Sequence, residues 1–133
     1  MSADHRFDLS PEALSVRREV LGDEYVDSST EPTDPLTREF QAFVTNYCWG
    51  EIWTDDRLSR AQHSLVVMAV TAALGRMREF EIHARGALRN GLEPDQLTAV
   101  LRQVAVYAGV PAAVSALPSL RSAISDYEKG DLS

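Results

Sequence analysis

The sequence predicts an all-α protein, a single-domain helical bundle of about six helices. Apolar residues recur at three- and four-residue spacings in one segment after another, and no stretch sustains the alternation of a strand. Proline, glycine and small polar residues fall at the ends of those segments, where helices start and stop. Of the 133 residues, 44% are hydrophobic and 25% charged, which is enough apolar surface for one core without a disulfide or metal staple.

The first helix is expected from Pro11, with Ser10 as its cap, to about Leu21. Leu14, Val20 and Leu21 are its apolar contacts, and Gly22 stops it. Residues 27–35, with two prolines, read as a turn-rich connector. A second helix starts at Asp34-Pro35, carries Leu36, Phe40, Phe43, Val44 and Tyr47 on one stripe, and ends at Trp49-Gly50. Thr54-Asp55-Asp56 offers caps for a third helix over 57–74. Its run from Leu65 to Leu74 is apolar nearly all round, so it is either the central helix of a bundle or an oligomer interface.

Gly75 closes that helix, and a fourth spans about 77–89 with Phe80, His83, Ala84, Ala87 and Leu88 on its core stripe. Asn90-Gly91 stops it. Glu93-Pro94-Asp95 opens a fifth helix to about Ala108, with Leu97, Leu101, Val104 and Ala108 among its inward positions. Gly109-Val110-Pro111 starts the last helix, which Pro118 kinks or restarts and which frays from Asp126. The expected organisation is a flexible segment over 1–10, a folded domain over 11–128 and a tail over 129–133.

The net charge is −7, and Lys129 is the only lysine. An acidic chain without a basic run is a poor partner for nucleic acid or an anionic membrane. Cys48 is the only cysteine, which excludes an intrachain disulfide and a dithiol redox pair. The N-terminus lacks the apolar core of a signal peptide, so the expected location is cytoplasmic. No metal site is expected, because the three histidines and scattered acids show no metal-ligand spacing. No glycine-rich phosphate loop is present either.

Two stretches concentrate the residues that could do chemistry. Cys48-Trp49-Gly50-Glu51-Ile52-Trp53 packs a carboxylate between two indoles, where partial burial would raise its pKa and hold a transferable proton. Glu81-Ile82-His83-Ala84-Arg85 sets a histidine on a core-facing stripe. That histidine is either a buried neutral ring bonded to a carbonyl or a general acid or base. Arg60 and His63 begin the third helix as a polar face or as an anion contact at a pocket mouth. Arg76 and Glu79 precede His83 by seven and four residues. Tyr107, at a helix end, is either a core tyrosine or a phenol projecting into a cavity.

Cys-Trp-Gly-Glu-Ile-Trp (48–53), Ala-Ala-Leu-Gly-Arg (72–76), Glu-Ile-His-Ala-Arg-Gly-Ala-Leu-Arg-Asn-Gly (81–91) and Gln-Val-Ala-Val-Tyr-Ala-Gly-Val-Pro-Ala-Ala (103–113) resemble the γ-carboxymuconolactone decarboxylases. The resemblance covers about 17–125. It implies an alkylhydroperoxidase-D-like fold, a homo-oligomer (trimer or hexamer), and no cofactor. The peroxidase branch of that fold carries a Cys-x-x-Cys pair where Arg76 and Glu79 stand here, so dithiol peroxide chemistry is not implied. The implied reaction is decarboxylation of 4-carboxymuconolactone to the β-ketoadipate enol-lactone, within protocatechuate catabolism. Another carboxylated lactone or related small molecule, or a non-catalytic oligomer, are the alternatives.

On that resemblance His83 and Glu51 are the catalytic pair: His83 is proton donor or oxyanion partner, and Glu51 sets its protonation. Trp49, Trp53 and Tyr107 supply an apolar wall, and Arg60, His63 and Arg76 complete the substrate contacts. The resemblance also implies several arginines over 56–64, where this chain has His63 and Ala61.

Overall fold

The computed structural model describes residues 7–31 and 34–132. Among them there are helices and no strand: α1 (Pro11–Leu21), α2 (Asp23–Thr30), α3 (Pro35–Phe43), a π-helix (Val44–Ile52), α4 (Arg60–Ala73), α5 (Met77–Arg89), α6 (Pro94–Ala108) and α7 (Val110–Lys129). The chain forms two compact units, Met1–Arg57 and Leu58–Ser133. No helix among the described residues is long and apolar enough to cross a membrane.

In the first unit the Ser10 side chain caps α1 by accepting from the Ala13 N–H at 3.3 Å. Residues 8–10 are held rather than loose. The Ser10 N–H donates to Asn46 Oδ1 at 2.8 Å, and Asn46 Nδ2 donates to the Asp8 carbonyl at 3.0 Å. Residues 1–6 of the expected flexible segment lie outside the described residues.

Gly22 stops α1 but at once starts α2, which occupies most of the stretch expected as a connector. With φ at 86°, a conformation that favours glycine, it turns the chain sharply enough for a second helix to follow. Pro32 and Thr33 of that connector lie outside the described residues.

The core of this unit is small and partly polar. Ala13, Val20, Val26 and Ala42 are buried beside a buried arginine, Arg17. Its guanidinium donates to Gln41 Oε1 at 2.9 Å, to Thr45 Oγ1 at 3.0 Å and to Ser29 Oγ at 3.4 Å. Burial lowers its pKa, with Tyr25 and Cys48 opposing that shift. A charged fork held by neutral oxygens thus ties α1 to α2, α3 and the π-helix.

The second helix does not end at Trp49-Gly50. It widens after Phe43 into the π-helix, whose closing bond runs from the Trp53 N–H to the Cys48 carbonyl at 2.9 Å. Gly50 has a packing role there: a Cβ on it would stand 3.4 Å from Ala13 Cβ.

In the second unit α4 begins at Arg60, later than expected. Its cap is Ser59, in a capping box with Gln62, and not the Thr54-Asp55-Asp56 run. Only His63, Ser64, Met68 and Ala72 of this helix are buried, while Val66, Val70 and Leu74 are exposed. It is therefore not a helix covered on all sides. Phe80, Leu97, Leu101, Val104 and Leu120 join Met68 in the main core.

Pro118 lies inside a continuous α7, and Asp126 does not fray. Its carboxylate accepts from Arg85 Nη1 at 2.6 Å, and helix geometry persists to Lys129. The expected tail is anchored as well: Arg89 Nε donates to the Leu132 carbonyl at 3.3 Å. Ser133 lies outside the described residues.

Candidate active site

The candidate residues divide between the two units. In the first, the π-helix brings Trp49 and Trp53 into a stack, with ring centroids 4.6 Å apart and planes 19° from parallel. Both indoles are buried, so they form part of the core of this unit. Glu51 points elsewhere and is exposed, and the burial expected to hold a proton on it is absent. The wide turn of the π-helix lets one short stretch bury two indoles and present the carboxylate between them. Cys48 is half-buried, and desolvation raises its pKa against the opposing pull of Arg17, which keeps it a thiol.

In the second unit His83 lies on the inner side of α5, with Nδ1 closed off from water. The ring as a whole keeps some exposed surface. Burial lowers its pKa from 6.5 to about 4, against the raising effect of Glu79. At neutral pH the ring is therefore uncharged, which favours the neutral-imidazole reading over a standing imidazolium acid.

His63 is buried on the first turn of α4, next to the fully buried Ser64, while Arg60 keeps partial exposure. Asn90 fixes that turn from the end of α5. Its Nδ2 donates to Ser64 Oγ at 2.8 Å and lies 3.4 Å from the Arg60 carbonyl. Asn90 was visible in the sequence only as a helix stop. Arg76 is the N-cap residue of α5 and is exposed, and Glu79 is exposed too.

Tyr107 is not a core tyrosine: it is 84% exposed. It lines an apolar groove of about 550 Å³ between α4 and α6, whose walls include Leu65, Val66, Ala69, Val100 and Val104. Gln103, one turn before Tyr107, adds a side-chain amide to the same groove. Sequence reasoning missed it, although the four-residue spacing from Tyr107 was there to be read. Among the described residues no group of three or more His, Cys, Asp and Glu side chains is placed to hold a metal ion.

The profile of the carboxymuconolactone decarboxylase family matches residues 38–122, a span that holds the π-helix, the α4 turn, His83 and Tyr107. The chain belongs to this family. Its relatives include a 4-carboxymuconolactone decarboxylase of Acinetobacter baylyi, 36% identical over 115 residues, or 86% of each chain. A nitrosuccinic acid decarboxylase of Metarhizium robertsii is 32% identical over 124 residues, covering 92% of this chain and 87% of the relative. Two relatives of comparable identity thus carry names with different acids.

Proposed function

We propose that this protein is a cofactor-independent carboxy-lyase whose substrate is 4-carboxymuconolactone, in the β-ketoadipate branch of aromatic catabolism. The observation that carries the reading is family membership across a span that contains His83, a histidine held neutral beside a partly open surface. The chemistry needs little more. The bond to the departing carboxylate breaks, CO2 leaves, and the electron pair spreads through the ring double bond onto the lactone carbonyl. A proton then adds at the carbon next to that carbonyl, giving the enol-lactone.

The protein must hold the acid and stabilise charge on the carbonyl oxygen as it develops. A neutral imidazole suits the second task, because its N–H donates a hydrogen bond that strengthens as the oxygen gains charge. With Nδ1 enclosed, Nε2 is the nitrogen left to do so. Arg60 and His63 would hold a retained carboxylate from the first turn of α4, with Arg76 as a further cation.

The names of the two relatives favour a second, broader reading. Both acids are succinates that bear an electron acceptor on the carbon losing CO2: a conjugated lactone in one, a nitro group in the other. The substrate class supported is therefore an acceptor-substituted succinate. His63 bears on which acid is taken, since an imidazole lacks the bidentate fork of a guanidinium.

An ultraviolet assay on 4-carboxymuconolactone made in situ, with nitrosuccinate alongside and His83→Ala as control, tests both readings. Turnover of the lactone that vanishes in the variant is expected. Turnover of nitrosuccinate alone would replace the pathway assignment with the broader class. No turnover of either by folded protein would remove the decarboxylase reading.

A further inference from the structure

We propose that the first unit carries a second small-molecule site, a polar pocket between the end of α2 and α3 that takes a small apolar α-amino acid as its zwitterion. The pocket has a volume of about 260 Å³, and its lining residues run from Phe7 to Gln41, all within the first unit. That volume falls just below the range of drug-sized sites, which suits a molecule of a few carbons. The site is independent of the decarboxylase reading.

The α3 wall donates. Arg38 and Gln41 both line the pocket and stand three residues apart, so their side chains leave α3 on one face. Gln41 is oriented from behind: its Oε1 accepts from Nη1 of the buried Arg17 at 2.9 Å. An arginine can only donate, so the amide oxygen faces Arg17 and Nε2 keeps two N–H donors for the pocket. Arg38 lies over the Phe7 ring, 5.8 Å from its centroid, which restrains the guanidinium at the rim.

Arg17 gives this wall its charge. It is 4% exposed, its partners among the described residues are all neutral oxygens, and its Nε meets no acceptor. A buried cation without a carboxylate makes the floor behind Gln41 electropositive. A ligand carboxylate held by Arg38 and Gln41 brings the missing counter-charge within one residue of it.

The end of α2 accepts. The Thr30 hydroxyl donates to the Val26 carbonyl at 2.7 Å, so its oxygen can only accept from a ligand. Glu31, the C-cap residue of α2, adds an exposed carboxylate at a helix end whose carbonyls already favour a cation. Asp8 lines the pocket too. Two acids beside one arginine repel a lone anion, while a lone amine leaves Arg38 and Gln41 without an acceptor. Phe7 and Leu9 supply an apolar wall for a short hydrocarbon side chain. An α-amino acid carries all three complements on one carbon.

Titration of the full chain with L-valine, followed by amide NMR shifts, tests the site. Saturable shifts at Thr30, Glu31, Arg38 and Gln41 are expected, with a Kd on the order of 1 mM. Two analogues separate the walls: 3-methylbutanoate lacks the ammonium, and 2-methylpropylamine lacks the carboxylate. Each is expected to bind at least about tenfold more weakly. Equal binding of either analogue would overturn the proposal, as would no saturable shift with valine up to about 10 mM.

Arg38→Gln and Glu31→Gln, both at exposed positions, are each expected to weaken valine binding by at least about tenfold. Gln41→Glu is the sharper variant. It gives Arg17 a carboxylate partner, so circular dichroism should show a folded chain, yet it sets a charge against the carboxylate of the ligand. Loss of binding by this folded variant is expected, and wild-type affinity in any of the three would overturn the site. Should Gln41→Glu fail to fold, the two surface variants decide the outcome.

Discussion

His83 should make the stability of this protein fall as the solution is acidified through the range where a free histidine takes up its proton. Its pKa is lowered from 6.5 to about 4 in the folded chain, so between these values the unfolded state binds the proton and the folded state resists it. The folded state therefore loses stability as pH drops from about 6.5 toward about 4, and the loss then levels off. A tenfold difference in proton affinity between the two states corresponds to about 1.4 kcal/mol, so the full effect is about 3 kcal/mol, most of which falls between pH 7 and pH 4.5. His83→Gln keeps a polar side chain and removes the titration. Urea unfolding of both proteins at the two pH values and one fixed protomer concentration gives the comparison. The wild type is expected to lose about 2 kcal/mol more than the variant. Equal losses would refute the claim that the imidazole is desolvated, and with it the neutral-donor role.

Phe80, fully buried in the second unit, should cost about 3–5 kcal/mol on truncation to alanine, measured by urea unfolding. Arg17→Lys should cost about 2–3 kcal/mol, because one ammonium cannot reach Gln41, Thr45 and Ser29 together; no loss would show that the fork is dispensable. Asn90→Ala should destabilise by about 1–2 kcal/mol and raise KM more than it lowers kcat, as the turn carrying Arg60 and His63 loosens; an unchanged KM would detach Asn90 from the site.

The helices of the second unit were legible in the sequence because local signals agree there. Gly75, Asn90-Gly91 and Glu93-Pro94 punctuate clean apolar stripes, and the boundaries Met77–Arg89 and Pro94–Ala108 follow from them. The first unit was harder to read. Asp-Ser-Ser-Thr looks like turn chemistry, yet Asp23–Thr30 is a helix, tied in by Val26 and by Ser29 and Thr30 hydroxyls that donate to backbone carbonyls. A π-helix leaves no periodic trace over nine residues, so Gly50 read as a stop.

The stripe from Leu36 to Tyr47 shows the deeper limit: periodicity says that a helix has an apolar face, and it does not say that the chain buries it, as the exposure of Leu36, Phe40, Phe43 and Tyr47 shows. For the site, His83 and Tyr107 could be picked out by residue type and position. The exposure of Glu51 could not, because it depends on how many residues each turn of its helix holds.

That dependence makes the stretch Val44–Ile52 an aiming device. Its turns close on the fifth residue, so each position is rotated less about the helix axis than it would be in an α-helix, and the difference accumulates toward Glu51. Thr45, bonded to Arg17, and Gly50, pressed against Ala13, pin the wide turns at two points. A bulky residue at 50 or loss of the hydroxyl at 45 would let the stretch tighten and swing the carboxylate around the axis. Such a variant would keep its fold and all its other side chains, yet present Glu51 on another side of the helix.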